Sequence, residues 1–443
     1  MLGRHETLKG GKERLIGPVK LKSLEASQLE RLLNRNKADL EAVKSQVSKI
    51  VGDVKQRGDQ ALIEYTEAFD GVKLDRSRLK VSRREIEEAY RQLPTGLIKA
   101  LKRAERNIRL VHRRQLPKAR ILAKSKGMRV TQVFQPLDSA GLYIPGGRAS
   151  YPSTALMLGV PARVAGVRRL VACTPPSPDG SVNPAVLVAL DLAGVGEVFR
   201  VGGVQAVAAM AFGTETIPKV CKIVGPGNIY VTAAKMMVYG EVGVEFPAGP
   251  TELLVFADEK ADPMLVAADL ESQAEHDPRA VPVLLTTSEK LAEAVYERLS
   301  KADRRISMAL EAHGAILLAE SLEEAADFIG RFAPEHLAVH SAKPGRLLAK
   351  LRNVGAVSLG IYTPTAALDY ALGPSHVLPT GGAARYASGI SVFDFLRFYT
   401  VQSLTKRGLK DLRETVETLA EAEGLRFHKL AVEERFKRGG KVG

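Results

Sequence analysis

The chain is 443 residues long and 45% hydrophobic, more than one ordinary domain and enough to bury two or more cores. Its two cysteines, Cys173 and Cys221, each sit in an apolar run, which excludes a disulfide framework and a CxxC zinc pattern and reads as core packing. A net charge of +14 invites nucleic acid as a partner, yet no zinc-knuckle, RNP or helix-turn-helix signature accompanies it.

No run approaches the ~18 apolar residues of a membrane span, and the first seventeen residues are charged and lack an apolar h-region, so a cytoplasmic protein is expected. The N-terminal region then reads as helical and charged, with helices over Leu40–Phe69 and Arg83–Arg114 around an extended piece at Val72–Val81. Between Leu97 and Val130 twelve Lys or Arg stand against the single acid Glu105. Leu101, Ile108 and Val111 recur there at helical spacing, so most of that charge reads as a solvated helix face.

From Val130 strands and helices alternate. Leu142–Ile144 precedes a helix from Ser153, Leu170–Ala172 a helix from Asn183, and Val198–Val201 a helix from Gln205. Cys221–Val224 follows, then a helix from Asn228 to Tyr239, and Glu252–Phe256 closes the series. Such spacing predicts a parallel, doubly wound sheet covered on both faces. A second series opens with Asp262 as N-cap and Pro263 as the first helical residue, in a helix ended by Pro278, and continues through strands at Val281–Leu285 and Ile316–Leu318. The two series have the rhythm of related halves. Beyond Leu378–Gly382 the chain is Gly- and aromatic-containing, helical over Leu409–Glu423, and basic at Lys437–Gly443. The fold class expected is α/β: two Rossmann-like doubly wound units with an incomplete dinucleotide fingerprint, a helical N-terminal region and a helical C-terminal appendage.

Glycine-rich turns open the helices of the first series: Pro145-Gly146-Gly147, Val201-Gly202-Gly203-Val204-Gln205 and Gly225-Pro226-Gly227-Asn228. Such turns let backbone N–H groups approach phosphate beyond the carboxyl ends of strands. Neither GxGxxG nor the P-loop pattern occurs, so the turns alone are equally consistent with tight turns. Gln273 and His276, three apart on the Pro263 helix, share a face and can converge on one ion, with Asp369 and His428 as further candidates from dense polar segments. The same spacing suits a capped helix end with a surface imidazole. Glu335-His336 stands at a Pro-marked turn entering a strand, where an adjacent acid and imidazole suit repeated deprotonation or form a solvated turn pair. His376 lies in the polar segment that begins at Asp369. His5, His112, His313 and His340 lack comparable settings and read as structural or exposed.

In order, these segments resemble the histidinol dehydrogenases over about Leu40 to Val432. The blocks are Gly141–Gly147, Val201–Ala206, Gly225–Asn228, Pro247–Glu252, Ser272–Pro278, Ala333–Leu337 and Ser375–Gly382. The resemblance implies oxidation of L-histidinol through L-histidinal to L-histidine, the last steps of histidine biosynthesis, with two NAD and one water. It implies Zn2+ on Gln273, His276, Asp369 and His428, the last supplied by the partner subunit of an intertwined homodimer. Glu335 and His336 become the acid/base pair, Tyr143, Gln205 and Asn228 the NAD contacts. Substrate contacts fall on Thr251, Gln273, His276, His336, Asp369, His376, Glu423 and His428. His336 would take the alcohol proton, Glu335 would activate water, and zinc would position the substrate.

One departure is Thr251, where the family usually carries Ser, so a hydroxyl is kept and a methyl added. A sister dehydrogenase of the same fold, acting on another primary alcohol such as a sulfonated diol, is the nearest alternative, and His376, Glu423 and His428 speak for histidinol. The division expected is an N-terminal arm (1–38) and a discontinuous α/β domain with the zinc and acid/base residues (39–142 and 253–385). A Rossmann-like NAD-binding domain (143–252) and a dimer-swapped C-terminal appendage (386–443) complete it.

Overall fold

The computed structural model of the chain describes residues 16–35, 40–125, 127–146, 150–246 and 249–437. His5, Gly147, Pro247-Ala248 and the basic tail past Lys437 lie outside the described residues. The chain forms two compact units, Met1–Gln115 with Leu137–Phe395, and Leu116–Pro136 with Leu396–Gly443. Among the described residues no helix is long and apolar enough to cross a membrane.

The first unit holds two parallel sheets. One runs Glu197–Arg200, Arg169–Thr174, Ser139–Tyr143, Lys222–Val224, Gly243–Val244 across its width. Numbered along the chain, this is the 3-2-1-4-5 order of a dinucleotide-binding half, with the switch point between Ser139–Tyr143 and Lys222–Val224. The other sheet has six strands: Ile16–Lys20, Ala315–Leu318, Val281–Thr286, Glu252–Ala257, His336–His340 and Ala356–Leu359. With its added edge strand set aside, it repeats 3-2-1-4-5. The expectation of two doubly wound units is therefore met, and the two halves share one strand order.

Glu252–Ala257 does not close the first series as the alternation suggested; it is the central strand of the second sheet, paired with Val281–Thr286 and His336–His340. All six of its residues are buried, and an apolar run of that length fits the middle of either sheet. The long helix expected over Leu40–Phe69 is two, Leu40–Arg57 and Asp59–Asp70. Gly58 breaks it at φ +54, where an added Cβ would collide with the Glu215 carboxylate. The helix expected over Arg83–Arg114 likewise splits into Arg83–Gln92 and Thr95–Gln115, because Pro94 forces Leu93 into extended backbone at ψ 141. The piece at Val72–Val81 contains one helical turn, Arg76–Leu79, capped by Asp75.

The second unit is a three-stranded antiparallel sheet, Leu396–Leu404, Met128–Pro136, Arg120–Ser125, with helices Lys406–Ala422 and Arg426–Lys437. The far half of the basic stretch is thus strand rather than helix. Its near half does show basic residues outward, with Leu101 and Ile108 buried. Of the two cysteines, Cys173 is in the core as expected and Cys221 is exposed, because it precedes the strand Lys222–Val224 instead of lying in it.

Candidate active site

Asp262 caps the helix Pro263–Ala274 through its side chain and Met264 N–H, as the sequence implied. The helix ends at Ala274, so His276 lies beyond it and not on the same helical face as Gln273; its N–H donates to the Gln273 carbonyl. Gln273 is 2% exposed, and its amide nitrogen donates to Thr251 Oγ1 at 2.6 Å. The Thr251 hydroxyl donates in turn to Glu335 Oε2 at 2.9 Å, which also accepts from the Glu252 N–H at 2.7 Å. One hydroxyl has one proton, and here it goes to the carboxylate. The Gln273 amide must therefore face Thr251 with nitrogen, leaving its oxygen free for another partner.

His336 opens the strand His336–His340 with Glu335 just before it, and both are buried, at 4% and 6% exposure, so the reading as a solvated turn pair is overturned. They follow Ala333, a non-glycine residue at φ +50. Burial, then the neighbouring Glu252 charge, pushes the Glu335 carboxyl well above the usual carboxylate range. The His336 ring is pushed down to about 3 by burial first and by His376 and His276 second. Its Nε2 lies 3.9 Å from both Glu335 Oε1 and Asp369 Oδ1, and its buried Nδ1 has no partner.

Asp369 stands between two imidazoles, with His276 Nε2 4.0 Å from Oδ2. Burial raises its carboxyl to about 7. The Asp369 carbonyl accepts from His376 Nδ1 at 2.7 Å, so that nitrogen carries the proton and Nε2 accepts from Thr154 Oγ1 at 3.0 Å. Thr154 sits in the first turn of the helix Pro152–Ala165, which follows the central strand of the other sheet. Sequence reasoning missed it, and missed Arg35 too. The Arg35 guanidinium lies 2.5 Å from Glu252 Oε2, stacks 3.3 Å from the Phe332 ring centroid, and donates to the Ala333 carbonyl at 3.4 Å. It ties the start of the strand Glu252–Ala257 to the turn that leads into His336–His340.

Six expected site residues besides Thr251 therefore gather in the first unit: Gln273, His276, Glu335, His336, Asp369 and His376. Glu423 and His428 belong to the second unit, at the end of Lys406–Ala422 and within Arg426–Lys437, and both are exposed. Among the described residues no three His, Cys, Asp or Glu side chains form a metal cluster. A metal here needs the free Gln273 oxygen beside His276 and Asp369, and a fourth donor from elsewhere. The chemistry of that donor set, amide oxygen, imidazole and a half-buried carboxylate without a counter-charge, fits zinc.

Tyr143, Gln205 and Asn228 all line a cavity of about 840 Å³ beyond the carboxyl ends of the first sheet. Gln205 Oε1 is buried without a hydrogen-bond partner. Some of the turn donors are taken. Gly203 N–H donates to Tyr143 Oη at 3.1 Å, and Asn228 Oδ1 accepts from Tyr230 and Val231 N–H, both at 3.1 Å. Gly225 is bracketed by a buried ion pair: its N–H donates to Glu245 Oε1 at 2.9 Å and its carbonyl accepts from Lys235 Nζ at 2.8 Å. Lys235 and Glu245 are themselves 2.5 Å apart.

The family profile described as histidinol dehydrogenase matches residues 33–436. The chain belongs to the histidinol dehydrogenase family. A histidinol dehydrogenase of Methanothermobacter thermautotrophicus is 48% identical over 95% of this chain and 99% of its own length. Another, from Methanocaldococcus jannaschii, is 47% identical over 94% and 98%. The crystal structure of histidinol dehydrogenase from Elizabethkingia anophelis superposes with a TM-score of 0.89 at 38% identity, covering 97% of this chain and 99% of that one. The resemblance drawn from the seven blocks is borne out, and as a histidinol dehydrogenase the chain is an oxidoreductase.

Proposed function

We propose that the protein is a zinc-dependent, NAD-linked L-histidinol dehydrogenase, a cytoplasmic homodimer that oxidises L-histidinol through L-histidinal to L-histidine. The observation that carries this reading is the hydrogen-bonded chain from Gln273 through Thr251 to Glu335, ending beside His336 and Asp369. When bound, NAD supplies the two-electron acceptor for each oxidation, and Zn2+ on Gln273, His276, Asp369 and His428 supplies a cationic anchor for the substrate.

The remaining work falls to side chains of this protein. His336 is held neutral by burial, so Nε2 accepts the alcohol proton in the first oxidation. Glu335 Oε2 is occupied by two donors, which leaves Oε1 to take a proton from the water that adds to the aldehyde. A carboxylate whose proton affinity is raised by burial is a stronger base once ionised. His376, fixed as the Nδ1–H tautomer by Asp369 and Thr154, presents an imidazole wall to the substrate. Thr251 serves the substrate through the orientation it gives to Gln273 and Glu335.

For the shared site, in which Glu423 and His428 come from the partner, support lies in the second unit's exposed apolar surface. The helix Arg426–Lys437 buries no residue, and Phe398, Tyr399, Val401 and Phe427 are exposed. We further propose that residues 143–252 hold the cofactor and that 253–385 hold the reacting groups.

The test is NADH formed per L-histidinol consumed, with zinc present and after chelation. Two NADH per substrate and loss of turnover on chelation are expected; a ratio of one, or full activity without metal, overturns the reading. Mixing His428→Asn with His336→Asn subunits should restore partial activity if sites are shared.

A further inference from the structure

Rossmann-like units that take NAD usually place an acid at the end of the second strand, where it accepts from the ribose hydroxyls and repels a 2′-phosphate. Here that strand is Arg169–Thr174, and it runs into Thr174-Pro175-Pro176-Ser177-Pro178, which carries no acid. The cavity wall is nonetheless not without charge. Asp70, at the end of the helix Asp59–Asp70 and outside the sheet, lines the same cavity as Tyr143, Gln205 and Pro175. It is the single ionisable acid among the described lining residues, none of which is Lys or Arg.

The setting of Asp70 is poor for stability. A carboxylate at a helix C-terminus opposes the helix dipole. Its Oδ2 is buried with no hydrogen-bond partner, and burial raises the carboxyl to about 6. A buried acceptor left open costs free energy unless something fills it. Asp70 lines the cavity, so a ligand there that brings hydroxyl donors can supply its carboxylate with partners.

We propose that Asp70 is the specificity residue of the cavity: it accepts from the adenosine ribose hydroxyls of NAD and excludes NADP. This rests on the reading of the cavity as the dinucleotide site. A 2′-phosphate would meet an anion there, with no cation among the described lining residues to offset it. The acid that the usual fold draws from its second strand is thus supplied by the helical N-terminal region.

The test compares Asp70→Asn, Asp70→Ser and Gln205→Ala with the unmodified protein, using calorimetric Kd for NAD and for NADP and kcat/KM with each. Losing a charge-assisted hydrogen bond should weaken NAD on the order of ten- to a hundred-fold. NADP should bind better or be unaffected, so the NAD/NADP preference falls at least as far. Both Asp70 variants should melt no lower than the parent, which separates this role from a folding defect. If Gln205→Ala weakens NAD while the Asp70 variants leave the preference unchanged, the cavity reading stands and the role of Asp70 is overturned. A Kd for NAD untouched by all three variants overturns the cavity reading and this inference with it.

Discussion

In the sheet centred on Ser139–Tyr143, the cavity opens beyond the carboxyl ends of the strands, at the switch point where open α/β sheets bind ligands. In the sheet centred on Glu252–Ala257, the buried Glu335-His336 pair sits at the other end. Thr251, Glu252, Glu335 and His336 all lie at the amino ends of the two strands that flank the equivalent switch point. One strand order thus serves opposite ends in the two halves. Topology tells where a crevice is cheap to make, and the side chains decide whether it is used. Each half also fixes its site with a buried ion pair, Lys235–Glu245 in the first and Arg35–Glu252 in the second.

The largest expected effect separates the two ends by chemistry. Glu335→Gln and His336→Asn should each lower kcat by about 10²–10⁴-fold, while the calorimetric Kd for NAD stays within error; a matching loss of NAD affinity would merge the two sites. Next, Arg35→Met leaves Glu252 buried without its cation and should cost about 3–5 kcal/mol in denaturant unfolding. A cost below ~1 kcal/mol would show that the contact is not a buried charge pair in solution.

At the carboxyl end, Asn228→Ala removes the helix cap as well as a cavity wall. It should cost about 1 kcal/mol of stability and weaken NAD, whereas a change in stability alone would leave Asn228 as a cap only. The smallest effect is in pH. The Asp70 carboxyl is raised from 3.8 to about 6, so the folded state holds its proton longer than the unfolded chain does. That lowers stability as pH rises from about 4 through about 6. Asp70→Asn carries no such penalty, so its melting advantage should grow across this window, by about 1 kcal/mol after solvent screening; a constant difference between pH 4 and 8 would contradict the burial.

Local signals carried most of the architecture. Asp262-Pro263 marked its helix start to the residue, and the alternation of apolar runs located most strands of both sheets but not Ile16–Lys20, Gly243–Val244 or Ala356–Leu359. Gly58 and Pro94 were also legible as breaks, yet the apolar periodicity on either side of each suggested one continuous helix. The hairpin at Arg120–Pro136 hid under its lysines and arginines, because a solvated sheet face and a solvated helix face have similar compositions. Long-range pairs left no trace at all. Arg35 meets Glu252 across 217 residues and Thr154 meets His376 across 222, and nothing in either neighbourhood announces the other. The motif Glu335-His336 was readable, whereas the burial that gives it opposite proton affinities came only from the fold.

The self-satisfied turns around the cavity have a further consequence. Gly203, Gly225 and the first turn after Asn228 are engaged inside the protein, so those N–H groups are not open to a phosphate. For an enzyme proposed to use two NAD on one substrate, a loose grip shortens the wait for cofactor exchange. On the proposed reading the substrate is anchored separately, at the amino ends of the other sheet, and its aldehyde can stay while the nucleotide changes.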